Sequence, residues 1–149
     1  MADEHTTRRR WMSVLAQASG EEIEQAWQAL PARPEYRVVR RPEVGLVMVR
    51  ARAGGSGAPF NLGEMTVTRC TVDLPSGMAG HGYVAGRNVR HAELAAVFDA
   101  LLQDPLLAPG LEESVIGQLE AVQLERRRRL TTRSALTRVE FFTLVRGDD

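Results

Sequence analysis

The chain has 149 residues, 44% hydrophobic and 26% charged, with a formal net charge of zero at pH 7. A chain of this length buries roughly two thirds of its unfolded surface as one domain, 1–149, without staples, and its neutrality argues against an overall nucleic-acid binder, which needs a large positive field. The single Cys70 excludes an internal disulfide and a cysteine-held metal cluster within one chain.

All nineteen basic residues are arginine, so no Schiff-base or P-loop lysine is available and every cation is a planar fork suited to carboxylate or phosphate. The start, MADEHTTRRRW, lacks the apolar segment of a signal peptide. No run approaches the roughly 20 apolar residues of a membrane span. The expectation is a soluble, cytoplasmic protein.

Residues 6–18 read as a helix, with Trp11, Val14, Leu15 and Ala18 on one face. Ser19 followed by Glu22 is a capping-box spacing that opens a second helix over 20–30, striped by Ile23, Trp27 and Leu30. Pro31 and Pro34 end it. Extended segments over 36–40 and 44–52 flank "RPE", which reads as a turn. In the second, Val47, Val49 and Ala51 share a face; Leu46, Met48, Arg50 and Arg52 share the other. "AGGSGAP" at 53–59 is a loop without the lysine of a phosphate loop.

Residues 65–74 form a strand whose apolar face switches between Val67 and Cys70, which predicts a bulge or strong twist near Arg69. After the "PSG" turn, residues 78–86 place Gly80, Gly82, Val84 and Gly86 on one face, inviting close backbone approach. A helix over 90–103 carries the stripe Leu94, Val97, Phe98 and Leu101, with Ala92, Ala95, Ala96 and Ala100 as a second, small-residue surface. A last helix spans about 111–135, and the apolar segment 139–145, with Phe141 and Phe142, reads as a terminal strand that is either central in the sheet or covered by a partner. The sum is an α+β domain: an antiparallel sheet of about four to five strands packed with helices.

Chemistry is sparse. "RRRR" at 126–129 fans over about 300° of a helix, so at least one arginine must turn toward the sheet or a partner. His81 and His91 would be general bases if paired with Asp73 or Glu93, yet no nucleophile lies at a recognisable spacing. Three histidines and one cysteine make a poor metal site. "GRNVRHAE" at 86–93 is the most informative stretch: Asn88 is a good N-cap, and Arg87 and Arg90 crowd a helix start whose dipole disfavours cations. Their compensator is either an anionic ligand or a carboxylate such as Glu93. His91 falls on the apolar stripe and closes the end of the core.

Four segments in this order, "RRRWMSVLA", "GEMTVTRC", "GRNVRHAE" and "VEFFTLVRGD", resemble the PhnG family, a small subunit of the bacterial carbon–phosphorus lyase core complex. The closing motif, with Arg146, Gly147 and Asp148, is the most specific part; the arginine run and His81 lie outside the pattern. The resemblance implies a role in phosphonate breakdown, in the step where a phosphonate displaces adenine from ATP to give a ribose 1-phosphonate 5-triphosphate. It implies action with PhnI, PhnH and PhnL, with the nucleosidase-like chemistry on PhnI and the radical chemistry on PhnJ. It also implies a core complex holding two copies each of PhnG, PhnH, PhnI and PhnJ. This chain would then hold no catalytic residue, metal or cofactor, ATP and phosphonate being substrates of the complex. Neither a membrane nor nucleic acid is expected as a partner. Arg87, Arg90, His91, Glu93, Phe141, Phe142, Arg146 and Asp148 are the candidate partner or anion contacts. The alternatives are a self-sufficient small hydrolase or transferase using His81 or His91, and an arginine-rich RNA-binding module.

Overall fold

The computed structural model describes the backbone of residues 2–144 and the side chains of residues 3–135. Helices α1 (Ala2–Gln17) and α2 (Gly20–Gln28) come first, then strands β1 (Arg37–Arg52), β2 (Pro59–Asp73) and β3 (Ala79–Ala85). Helices α3 (Val89–Leu102), α4 (Ala108–Leu111) and α5 (Gly117–Leu144) follow, α4 and α5 being joined by a π-helical turn over Glu112–Ile116. The fold is α+β. The sheet is antiparallel with strand order β1-β2-β3.

Three strands, not four to five, make up this sheet among the described residues, for two reasons. The segments 36–40 and 44–52 are one strand, because "RPE" is a bulge: the register against β2 slips between Val38 and Arg40 and again between Arg40 and Glu43. Proline is tolerated at a bulge on an edge strand, where its missing N–H costs no ladder bond. The irregularity expected in β2 near Arg69 therefore lies across the ladder in β1, while β2 pairs with β3 without a break. The second reason is the chain's end. The expected terminal strand is instead the continuation of α5, which runs to Leu144. Extending a formed helix costs far less than nucleating a new element, so the β-favouring Val139, Phe141 and Thr143 are carried along. The side chains of Phe141 and Phe142, and all of Arg146 and Asp148, lie outside the described residues.

Helix α3 is the centre of the molecule, with eleven of its 14 residues buried, so it is surrounded rather than merely amphipathic. Its outer neighbours are α1 and α2, and its inner surface lies on the sheet. The small-residue face of β3, which invited close backbone approach, meets the small-residue face of α3. A Cβ on Gly80 would stand 1.9 Å from the Ala96 carbonyl oxygen, and one on Gly82 would stand 1.9 Å from that of Ala92. The other face of β3, with His81 and Tyr83, is exposed.

One core unites Trp11, Leu15, Ile23, Trp27, Val72, Val84, Phe98 and Ile116. Trp27 meets Phe98 edge-on at 6.4 Å between centroids and Tyr36 likewise at 6.0 Å. Helix α1 is tied across to the last helical segment by Arg10, whose guanidinium bonds Glu120 at 2.8 and 2.7 Å and Glu112 at 2.9 Å. These carboxylates hold the guanidinium above its ordinary pKa, Glu120 contributing most.

Candidate functional site

The stretch "GRNVRHAE" folds as its residues dictate. Gly86, at φ 86°, turns the chain out of β3, and Asn88 caps α3 by accepting the His91 N–H at 3.0 Å. Helix α2 starts alongside. Ser19 and Glu22 close a reciprocal capping box, with bonds of 3.1 and 2.8 Å. The two helix starts nearly touch, for a Cβ on Gly20 would lie 2.5 Å from the Asn88 amide nitrogen. Between them opens a cleft lined by Glu21, Glu24, Gln28, Asn88 and Arg90.

Carboxylates already fill the electrostatic demand here. Arg90 donates to Glu24 at 3.0 Å and to both Tyr36 Oη and Glu93 at 3.4 Å. Its guanidinium is held above its ordinary value, chiefly by Glu24, and Glu24 is held below the usual carboxylate range, chiefly by Arg90. Tyr36 donates to Glu93; burial, then that carboxylate, push its phenol up. The compensator of Arg90 is therefore carboxylate from α2 and α3, and the acidic lining of the cleft opposes a polyphosphate. Arg87 differs. It is exposed and has no hydrogen-bond or ion-pair partner among the described residues, and Glu93 serves Tyr36 and Arg90.

The histidines are not brought together with acids. His91 is buried, its Nε2 2.8 Å from the Leu15 carbonyl oxygen, at the end of the core as its place on the stripe predicts. His81 lies on the exposed sheet face with its Nδ1 3.2 Å from Thr71 Oγ1, and Asp73 pairs with Arg37 at 3.1 Å instead. A threonine beside an imidazole that no third group orients among the described residues is a weak nucleophile pair. Nor is any group of three or more His, Cys, Asp or Glu placed to hold a metal ion among the described residues. No described helix is long and apolar enough to cross a membrane.

The arginine run, Arg126 to Arg129, lies on α5. All four side chains are exposed, and none turns toward the sheet. Arg126 bonds Glu22, Arg127 bonds Gln17 at 2.7 Å, and Arg129 bonds Glu125 at 2.9 Å. Arg126 and Arg127 thus tie α5 to the start of α2 and the end of α1, Arg129 pairs within its own helix, and all four side chains stay exposed.

Two features escape sequence reading. One is Asp99, fully buried in α3. Its Oδ1 accepts Arg8 Nε at 3.1 Å and Trp11 Nε1 at 2.9 Å; its Oδ2 accepts Arg8 Nη2 at 2.8 Å and the His81 backbone N–H at 2.9 Å. The available signal was a lone acid inside the apolar run "AAVFDALL", together with Arg8 and Trp11 three apart on one helix face. The other feature is the distal half of the β1–β2 hairpin, whose apolar side chains have no cover among the described residues.

Cys70 is buried against the sheet with its Sγ 3.4 Å from the Arg40 carbonyl oxygen, and burial pushes its thiol up to about 11. At pH 8 the folded chain should therefore react with iodoacetamide at least about tenfold more slowly than the denatured chain, read by mass spectrometry; equal rates would contradict the burial.

A family profile described as phosphonate metabolism protein PhnG matches residues 6–147, nearly the whole chain. The alpha-D-ribose 1-methylphosphonate 5-triphosphate synthase subunit PhnG of Rhizobium meliloti (strain 1021) is 48% identical over 145 residues, covering 95% of this chain and 90% of that protein. The profile match runs through the capped start of α3 and through Arg8, Trp11 and Asp99. The chain belongs to the PhnG family of phosphonate metabolism proteins.

Proposed function

We propose that this chain is a non-catalytic subunit of the ribose 1-methylphosphonate 5-triphosphate synthase in the carbon–phosphorus lyase system. It acts with PhnI, PhnH and PhnL in the displacement of adenine from ATP by a phosphonate. The observation that carries this reading is the 48% identity, spread over 95% of the chain, to a subunit of that synthase. The residues agree with a supporting role: Arg90 is committed to Glu24 and Glu93, and His91 to the Leu15 carbonyl, which leaves the capped start of α3 without an acid–base pair among the described residues. The chain holds no cofactor of its own, and ATP and the phosphonate are substrates of the assembly. Its partners are PhnI-like, PhnH-like and PhnJ-like subunits, two copies of each, in the cytoplasm.

The test is co-expression with the PhnI-like protein followed by size-exclusion chromatography. A shared peak at the mass of a complex is the expected result, and two separate peaks would contradict the reading. Arg87, a cation with no described partner beside a helix start, then becomes a partner contact. Arg87→Ala is expected to weaken this assembly about threefold to tenfold, which corresponds to roughly 0.6–1.4 kcal/mol. ATP affinity of the assembled complex should change less. Normal assembly with lost ATP affinity would place the start of α3 in the substrate site.

A further inference from the structure

Strand β3 ends at Ala85, opposite Val67. From there β1 and β2 run on alone as a two-stranded arm, from the Gly45–Val67 pair to the Arg52–Pro59 pair. Residues 45–65 are all exposed or half-exposed. The register sets Val47 beside Met65, Val49 beside Gly63 and Ala51 beside Phe60, so one face of the arm carries no polar side chain. On the opposite face Leu46 and Met48 are 63% and 52% exposed, and Leu62, at the slip in register beside Val49, is 65% exposed. An unsupported two-stranded ribbon is marginal in water, and a contiguous apolar surface of this kind is what a protein interface covers.

Charge decides between occupants. Arg40, Arg41 and Arg50 on β1 are exposed and unpaired among the described residues, and Glu64 is the single carboxylate of the arm against Arg50 and Arg52. A second copy of the arm would set cation against cation, which disfavours self-pairing. The complement is an apolar cleft with carboxylates at its rim. We infer that the β1–β2 arm is the docking element of this chain, inserting into such a cleft on a different subunit of the synthase. This rests on the subunit reading above.

The experiment compares the wild-type chain with Phe60→Glu/Met65→Glu, each co-expressed with the other synthase subunits and recovered through a tag on one of those subunits. The arm adds nothing to the core cluster, so both forms should melt alike in isolation. Recovery of the double variant should fall at least about tenfold. In the wild-type complex, amide hydrogens over 45–65 should exchange more slowly than in the isolated chain. Arg41→Glu/Arg50→Glu should slow association and remove part of its salt dependence. If the wild-type chain itself is not recovered, the subunit reading fails and the occupant goes with it. If wild type and Phe60→Glu/Met65→Glu are recovered equally, or the arm's exchange is unchanged on assembly, the arm inference alone is overturned. An isolated chain that is a dimer, and that the double substitution makes monomeric, would assign the arm to a second copy and overturn the choice of occupant.

Discussion

Asp99→Ala is expected to destabilise the protein by about 3–5 kcal/mol, the usual consequence of removing one partner from a buried ion pair. The fall in Tm for a domain of this size is then roughly 6–20 °C. The cost is large because one carboxylate serves four donors: two guanidinium nitrogens of Arg8, the Trp11 indole and the His81 amide. Its loss leaves the indole and amide without their acceptor and the guanidinium, about one third exposed, without its counter-charge. Asp99→Asn keeps an acceptor oxygen and should cost less than alanine. Arg8→Met/Asp99→Leu should remain destabilising, because it removes the charge pair but still abandons the indole and the amide. Thermal and urea unfolding followed by circular dichroism measure all three. An Asp99→Ala protein as stable as wild type would show that the network contributes nothing net.

Gly82→Val is expected to be as damaging. Overpacking a core typically costs about 1–3 kcal/mol, and this site lies at or beyond the upper end, because the obstruction is backbone. The added Cβ would stand 1.9 Å from the Ala92 carbonyl oxygen, 2.9 Å from its carbon and 3.0 Å from the Ala96 nitrogen, none of which moves without moving α3. The two effects are linked. Close approach of α3 to β3 is what brings Asp99 within 2.9 Å of the His81 N–H on the sheet's edge. Gly82→Ala and Asp99→Asn should therefore be non-additive in a double-mutant cycle, coupling by about 0.5–3 kcal/mol. Full additivity would mean that the helix does not shift when the glycine is filled.

Local chemistry was legible in the sequence wherever a short-range bond decides the structure. Ser19 with Glu22 and Asn88 with His91 mark helix starts through side-chain oxygens that reach amides three residues away. The glycines of β3 announced a close approach, because only missing side chains permit one. Their partner was not legible: it is α3 of the same chain, a choice made by topology. Pro42 was misleading, since a proline between two strands reads as a turn unless the first strand is known to be an edge. The segment 139–144 was misleading for a different reason, for strand-forming residues at the end of a long helix follow the helix. Arg87 and Arg90 were seen as one cluster, yet their fates part at Glu24, a residue on another helix that no spacing connects to them. Asp99 was passed over because its side-chain donors come from positions 88 and 91 residues earlier in the chain.

Adenine release from ATP in the presence of methylphosphonate, measured with this chain present, omitted and alone, tests the subunit account most directly. With the PhnI-like, PhnH-like and PhnL-like proteins present, the account predicts release that is lost when this chain is withheld and restored when it is added back. The chain alone should release none above background. Release by the isolated chain that disappears on His81→Ala or His91→Ala, or full release by the other proteins without it, would contradict the account.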